Sequence, residues 1–186
     1  MTLKEMEMQV FALIEELDKD NENLTADPDL AAKRRSVINQ VMFEMARIKK
    51  LTRYVETAVE AGQLVDFETI GGLCGNDVYQ LDKVGGVKHE LKAGGTVIKA
   101  LESGTLEIDF FVYPERITDK TSDSYEFELS QDVLQIMPYG VAADLLKSDV
   151  SANYGKIYAD RYEQMKNQLD PRYHVGYISC EGGVLL

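Results

Sequence analysis

The chain has no tryptophan, and among its 186 residues only two cysteines, two histidines and four prolines. Cys74 and Cys180 are too few and too far apart for the disulfide framework of a small secreted domain. His89 and His174 are distant from one another and join no Cys/His cluster with zinc spacing, so no metal is expected. A cysteine–histidine dyad could assemble only through the fold; no catalytic residue and no cofactor are expected. No apolar run approaches the roughly 20 residues of a membrane-spanning helix, so no membrane partner is expected. The start of the chain lacks the basic opening and long apolar core of a signal peptide, which predicts synthesis in the cytosol with free thiols. The glycines of 71–76 lack the Lys-Ser/Thr that closes a phosphate loop, and they read as a loop or bulge.

Basic residues are also in short supply: 20 Lys and Arg face 32 Asp and Glu, for a net charge of −12. That balance argues against free polynucleotide binding, which draws on clustered cations. Otherwise the composition, 45% hydrophobic and 28% charged, is that of an ordinary globular domain.

Thr2-x-x-Glu5 is a capping box, and Leu3, Met6, Val10, Leu13, Ile14 and Leu17 follow at helical spacing, predicting a helix over 2–19. A polar link follows. Its Asp18, Asp20, Glu22 and Asp29 have EF-hand-like spacing, but Asn23 stands at the glycine position and Asp29 where a longer Glu is needed. A solvated linker is the expected reading. Asp27-Pro28 opens a second helix, carried to about Leu51 by Leu30, Val37, Ile38, Val41, Met42, Met45 and Ile48.

From Tyr54 the period changes to two. Strands are predicted at 54–59, 63–67 and 78–84, then a hairpin of 87–92 with 96–101 about Ala93-Gly-Gly95. Gly85-Gly86 reads as a turn. In 105–113, Leu106, Ile108, Phe110 and Val112 point to one side, Glu107 and Asp109 to the other. A short closing strand is predicted at 125–129. Pro138 suits the first turn of a helix better than its middle, so a lead-in at 131–137 and a separate helix at 138–147 are expected. A last helix spans 151–169, with Tyr154, Ile157, Tyr158, Arg161, Tyr162, Met165 and Leu169 on one side. The order of elements predicts an α+β fold: a helical bundle from both chain ends (1–53 and 130–170), an antiparallel β-module inserted at 54–129, and an extended arm at 171–186.

The helix MPYGVAADLLKSD, the tyrosines at 154, 158 and 162, the closing Leu-Asp-Pro, and more weakly FFVYPERITDKTSDSYEF upstream, resemble the C-terminal half of the head–tail connector (adaptor) proteins of tailed bacteriophages. The resemblance implies a non-enzymatic virion protein, made in the host cytoplasm and placed at the head–tail junction. It would form a ring of about twelve copies beneath the portal protein. Such a ring extends the DNA channel, through which DNA passes without specific binding, and presents a platform for the next neck or stopper protein. It further implies that Tyr173, Val175, Tyr177, Ile178, Val184, Leu185 and Leu186 form a portal-binding arm.

Tyr154, Tyr158 and Tyr162, with Arg161 among them, read equally as a core-facing stripe or as a lateral subunit interface. Arg34 and Arg35, beside Lys33, read as a solvated face or as a basic patch meeting acidic residues of a neighbouring copy. Arg47, Lys49, Lys50 and Arg53 suit a helix C-terminus, and Lys147, Lys156 and Lys166 are expected in solvent. Two other classes fit the size and composition: another neck component, such as a stopper or tail-completion protein, and a small α+β enzyme or ligand-binding domain.

Overall fold

A computed structural model describes residues 1–15, 27–148 and 153–169. Helix α1 (Leu3–Leu13) carries the capping box read from the sequence: Thr2 accepts from the Glu5 backbone, and Glu5 accepts from the Thr2 N–H at 2.8 Å. Helix α2 (Pro28–Ile48) is capped by Asp27, whose carboxylate accepts from the backbone of Asp29 and Leu30. It ends three residues before Leu51, because Lys49 leaves helical geometry and Leu51 pairs with Val112. Strand β1 is therefore Leu51–Val59, which takes Leu51–Arg53 out of the helix and into the sheet.

Strand β2 (Leu64–Asp66) leads directly into a helix, α3 (Phe67–Cys74), where a strand end and a glycine loop are expected from the sequence. The Asp66 carboxylate caps α3 by accepting from the Thr69 N–H at 2.8 Å, and Ile70 fills the β-core. Gly75 closes the helix in the left-handed conformation that a Cβ disfavours. The glycine cluster is thus a short capped helix.

Strands β3 (Val78–Gly86), β4 (His89–Lys92), β5 (Val97–Ala100) and β6 (Gly104–Val112) complete the module. β3 runs through Gly85 and Gly86, which pair with Glu107 and Leu106 before the chain turns. Two antiparallel sheets form, in the orders β1-β6-β3 and β2-β5-β4. Leu106, Ile108, Phe110 and Val112 of β6 meet Val65, Ile98 and Ala100 of the second sheet in one apolar cluster, as the alternation in β6 predicts.

Residues 125–129 form no strand; Glu126 makes a single bridge to Thr2, flanked by Leu3 N–H donating to Tyr125 O at 2.8 Å. Ile117, Phe127 and Leu129 pack into the helical core, so this connection belongs to the helices in packing. Helix α4 (Gln131–Leu145) is continuous through Pro138, with a 3-10 turn at Leu146–Ser148. Pro138 forgoes one backbone bond, but Leu134, Met137, Pro138 and Val141 are all buried around it, and that packing holds the helix together. Helix α5 (Tyr154–Lys166) lies against α4. The fold is α+β, with helices from both ends of the chain sharing one core and the antiparallel β-module between them in sequence.

The helical and β clusters meet at an aromatic junction. Tyr113 packs on Phe43 and Tyr79, at centroid distances of 5.1 and 4.7 Å. The Tyr79 hydroxyl donates to Ala46 O at 3.0 Å, reaching the end of α2. Burial, then the neighbouring Tyr113, push that hydroxyl up to about 12, so it stays a donor. Asn39, buried, exchanges two hydrogen bonds with the Ile117 backbone, at 2.7 and 2.8 Å.

Candidate interaction surface

Gly140 lets α5 approach α4 closely: a Cβ there would sit 2.7 Å from the Tyr162 ring. Tyr162 is buried against it, and its hydroxyl donates to a Glu44 carboxylate oxygen on α2 at 2.8 Å. Burial and the Glu44 contact hold this hydroxyl well above the ordinary tyrosine range. Lys166 completes the contact. Its ammonium stands 4.9 Å over the Tyr162 ring, pairs with Glu44 at 2.9 Å and also pairs with Glu163. Burial works against its charge, but the two carboxylates outweigh that and raise its pKa. Lys166 is therefore a structural cation, not the solvated lysine expected from the sequence.

The tyrosine stripe divides along its length. Tyr162 belongs to the core. Tyr158 is half-buried; its hydroxyl donates to Leu13 O, and its ring lies 6.4 Å from Tyr139. Tyr154 and Ile157 stand out of the helical body, 60% and 56% exposed. Arg161 is exposed on the same side of α5. Among the described residues it is the arginine with no ion pair, hydrogen bond or ring contact.

Arg34 and Arg35 are neither solvated nor free for a neighbour. Glu7, buried on α1, takes the Arg34 Nε at 2.9 Å and lies 3.5 Å from the Arg35 Nε. Arg35 also donates to Thr118 O and Thr121 O, and pairs with Asp123 at 3.3 Å. The pair thus ties α1, α2 and the 113–130 connection together. The basic end of α2 is similarly occupied. Arg47 donates to the Tyr113 hydroxyl, Lys49 pairs with Asp132, Lys50 sits 4.4 Å over the Phe111 ring, and Arg53 pairs with Glu128 at 2.8 Å.

The outer face of the β1–β6 pair escaped sequence reasoning. Register places Glu56 directly opposite Glu107 and Tyr54 opposite Asp109; Gly85 is the other neighbour of Glu107, and Lys83 that of Asp109. Like charges facing across an antiparallel pair are unfavourable. The Tyr54 hydroxyl, on a half-exposed side chain, donates to Glu56 Oε1 at 2.6 Å. That bond to Glu56, with the charges of Glu56, Glu107 and Asp109, pushes it up to about 12. Alternation in β6 flagged Glu107 and Asp109, but their pairing with β1 depends on register.

Two open clefts flank the β-module. One, of about 550 Å³, runs between β3 and the β4–β5 hairpin and is lined by Phe67, Leu81, Asp82, Lys83, His89 and Leu91 among others. His89 Nδ1 lies 3.0 Å from Val87 O. The other lies beside the end of α3. A smaller groove of about 280 Å³ lies between α1 and α4, lined by Gln9, Ala12, Leu13, Pro138 and Tyr139. Cys74 is half-buried, its thiol 3.6 Å from Gly71 O and Asn76 O. No group of three or more His, Cys, Asp or Glu among the described residues is placed to hold a metal. No helix among them is long and apolar enough to cross a membrane.

The expected arm residues Tyr173, Val175, Tyr177, Ile178, Val184, Leu185 and Leu186 lie outside the described residues, as do His174, Cys180, Asp18, Asp20 and Glu22. Comparison with protein-family models gives no match, and comparison with curated proteins returns no relative.

Proposed function

We propose that this chain is a head–tail connector of a tailed bacteriophage or prophage. Copies form a ring beneath the portal protein, extend the DNA channel and present a platform for the next neck protein. The observation that carries the reading is the disposition of the stretch bearing the resemblance. Helices α4 and α5 lock together through Gly140 and Tyr162, while the same tyrosine helix turns Tyr154, Ile157 and an unpaired Arg161 outward. Exposed tyrosine and arginine on a rigid helix are residue types that carry binding energy in protein interfaces. A net charge of −12 suits a channel wall that DNA slides past.

The portal contact falls to the arm at 171–186. Burying its aliphatic and tyrosine side chains is worth roughly 1.5–3 kcal/mol each, less the cost of ordering the segment. Repetition around a ring turns a weak grip per copy into a durable one.

The test is mass measurement and electron microscopy of the purified protein, alone and with the portal protein of the same phage. Rings that sit on portal, and a chain truncated after Asp170 that folds but no longer attaches, are expected. A monomer at every concentration, indifferent to portal, refutes the reading. The cleft beside β3 favours a second reading, a ligand-binding α+β domain, which predicts that monomer together with a small molecule that raises its melting temperature.

A further inference from the structure

We propose that the Tyr154–Ile157–Arg161 ridge of α5 docks on the outer face of the β1–β6 pair of a second copy of this chain. There the Arg161 guanidinium sits between the carboxylates of Glu56 and Glu107, and Tyr154 and Ile157 lie against Tyr54. The contact names the faces through which the ring would close, and so rests on the connector reading.

Each half of the contact carries something unsatisfied that the other supplies. On α5, steps of three and four residues line up two large exposed side chains with the free arginine, while the adjoining Tyr158 and Tyr162 are spent on Leu13, Gly140 and Glu44. On the sheet, Glu56 and Glu107 face one another, and none of the ion pairs among the described residues neutralises either. Gly85 beside Glu107 leaves that row without a third side chain, so the carboxylates are open to a group arriving from outside. A guanidinium placed there makes charge-assisted bonds to both carboxylates and removes their repulsion. Tyr54 offers an exposed ring next to the pair, anchored by its bond to Glu56.

The chain's other basic candidates, Arg34 and Arg35, are committed to Glu7. Asp160 flanks Arg161 on α5 and tempers its charge, so the apolar pair and the two glutamates must act together. Ridge and sheet are different surfaces, which makes the contact heterologous: it propagates from copy to copy and closes where the rotation allows.

Charge exchange tests this on the full chain, by sedimentation or native mass measurement over a concentration series, with and without portal. Arg161→Glu alone, and Glu56→Arg with Glu107→Arg, should each weaken association at least about tenfold through like-charge contact. Combining all three should restore most of it, and Ile157→Asp should weaken it by a similar factor. All these positions are on the surface, so far-UV circular dichroism should be unchanged. Wild-type assembly that tolerates the reversals or Ile157→Asp, or a combination no better than its parts, overturns this contact and leaves the ring reading standing. A wild type that never associates, even with portal, sinks both.

Discussion

Replacing Glu7 with alanine should cost about 2–3 kcal/mol of folding stability. Glu7 is 1% exposed and is the carboxylate that two guanidiniums share, Arg34 at 2.9 Å and Arg35 at 3.5 Å. Breaking a buried ion pair by removing one partner costs roughly 3–5 kcal/mol, because the remaining charge stays behind uncompensated. Two features place this site at or below the low end. Arg34 is a quarter exposed and can turn to water, and Arg35 keeps Thr118 O, Thr121 O and Asp123 as acceptors. The assay is denaturant unfolding followed by circular dichroism, where the midpoint should fall with little change in slope. In a thermal melt the same loss should appear as roughly 5–10 °C for a chain of this size. Repeating the substitution in an Arg35→Met background should show a coupling of at least about 1 kcal/mol, since the two residues share one interaction. A loss below about 0.5 kcal/mol, or no coupling, would mean that the Glu7 carboxylate does not anchor α1 to α2 and the connection.

Gly140→Val should destabilise by about 1–3 kcal/mol through overpacking on the Tyr162 ring, and Tyr162→Ala in the same chain should relieve part of that loss in a thermal melt. Asp66 has its pKa lowered by the Thr69 backbone and hydroxyl bonds. Its cap therefore supports α3 above the ordinary carboxyl pKa of 3.8 and is lost as pH falls through its lower folded value; amide exchange of α3 measured down that range should show the opening. Glu56→Gln should bring the Tyr54 hydroxyl down from about 12 toward 10, read as a difference in the ultraviolet titration against wild type.

Local structure follows from neighbouring residues where short-range chemistry sets it. The Thr2–Glu5 box and the Asp27-Pro28 start depend on hydrogen bonds a few residues apart, and both form as the spacing predicts. The apolar side of β6 was legible because the alternation of a strand is intrinsic to its backbone. Pro138 misled for the opposite reason. Its local preference is a helix start, but the packing of Leu134, Met137 and Val141 outweighs one missing bond. The glycines of 71–76 misled because Asp66 and Ile70, a cap and a core anchor, lie just ahead of them and make a helix worth forming.

The α+β order, the helical and β-rich parts of the chain, and the tyrosine-bearing side of α5 are legible from residue order, because periodicity follows from backbone geometry alone. Which of those residues remain on the surface depends on long-range packing. Tyr162 is drawn inward by the gap at Gly140, Arg34 and Arg35 are taken up by Glu7, and strand register brings Glu56 and Glu107 face to face. Each outcome depends on a partner tens of residues away, and burial and pairing over such separations are properties of the packed molecule.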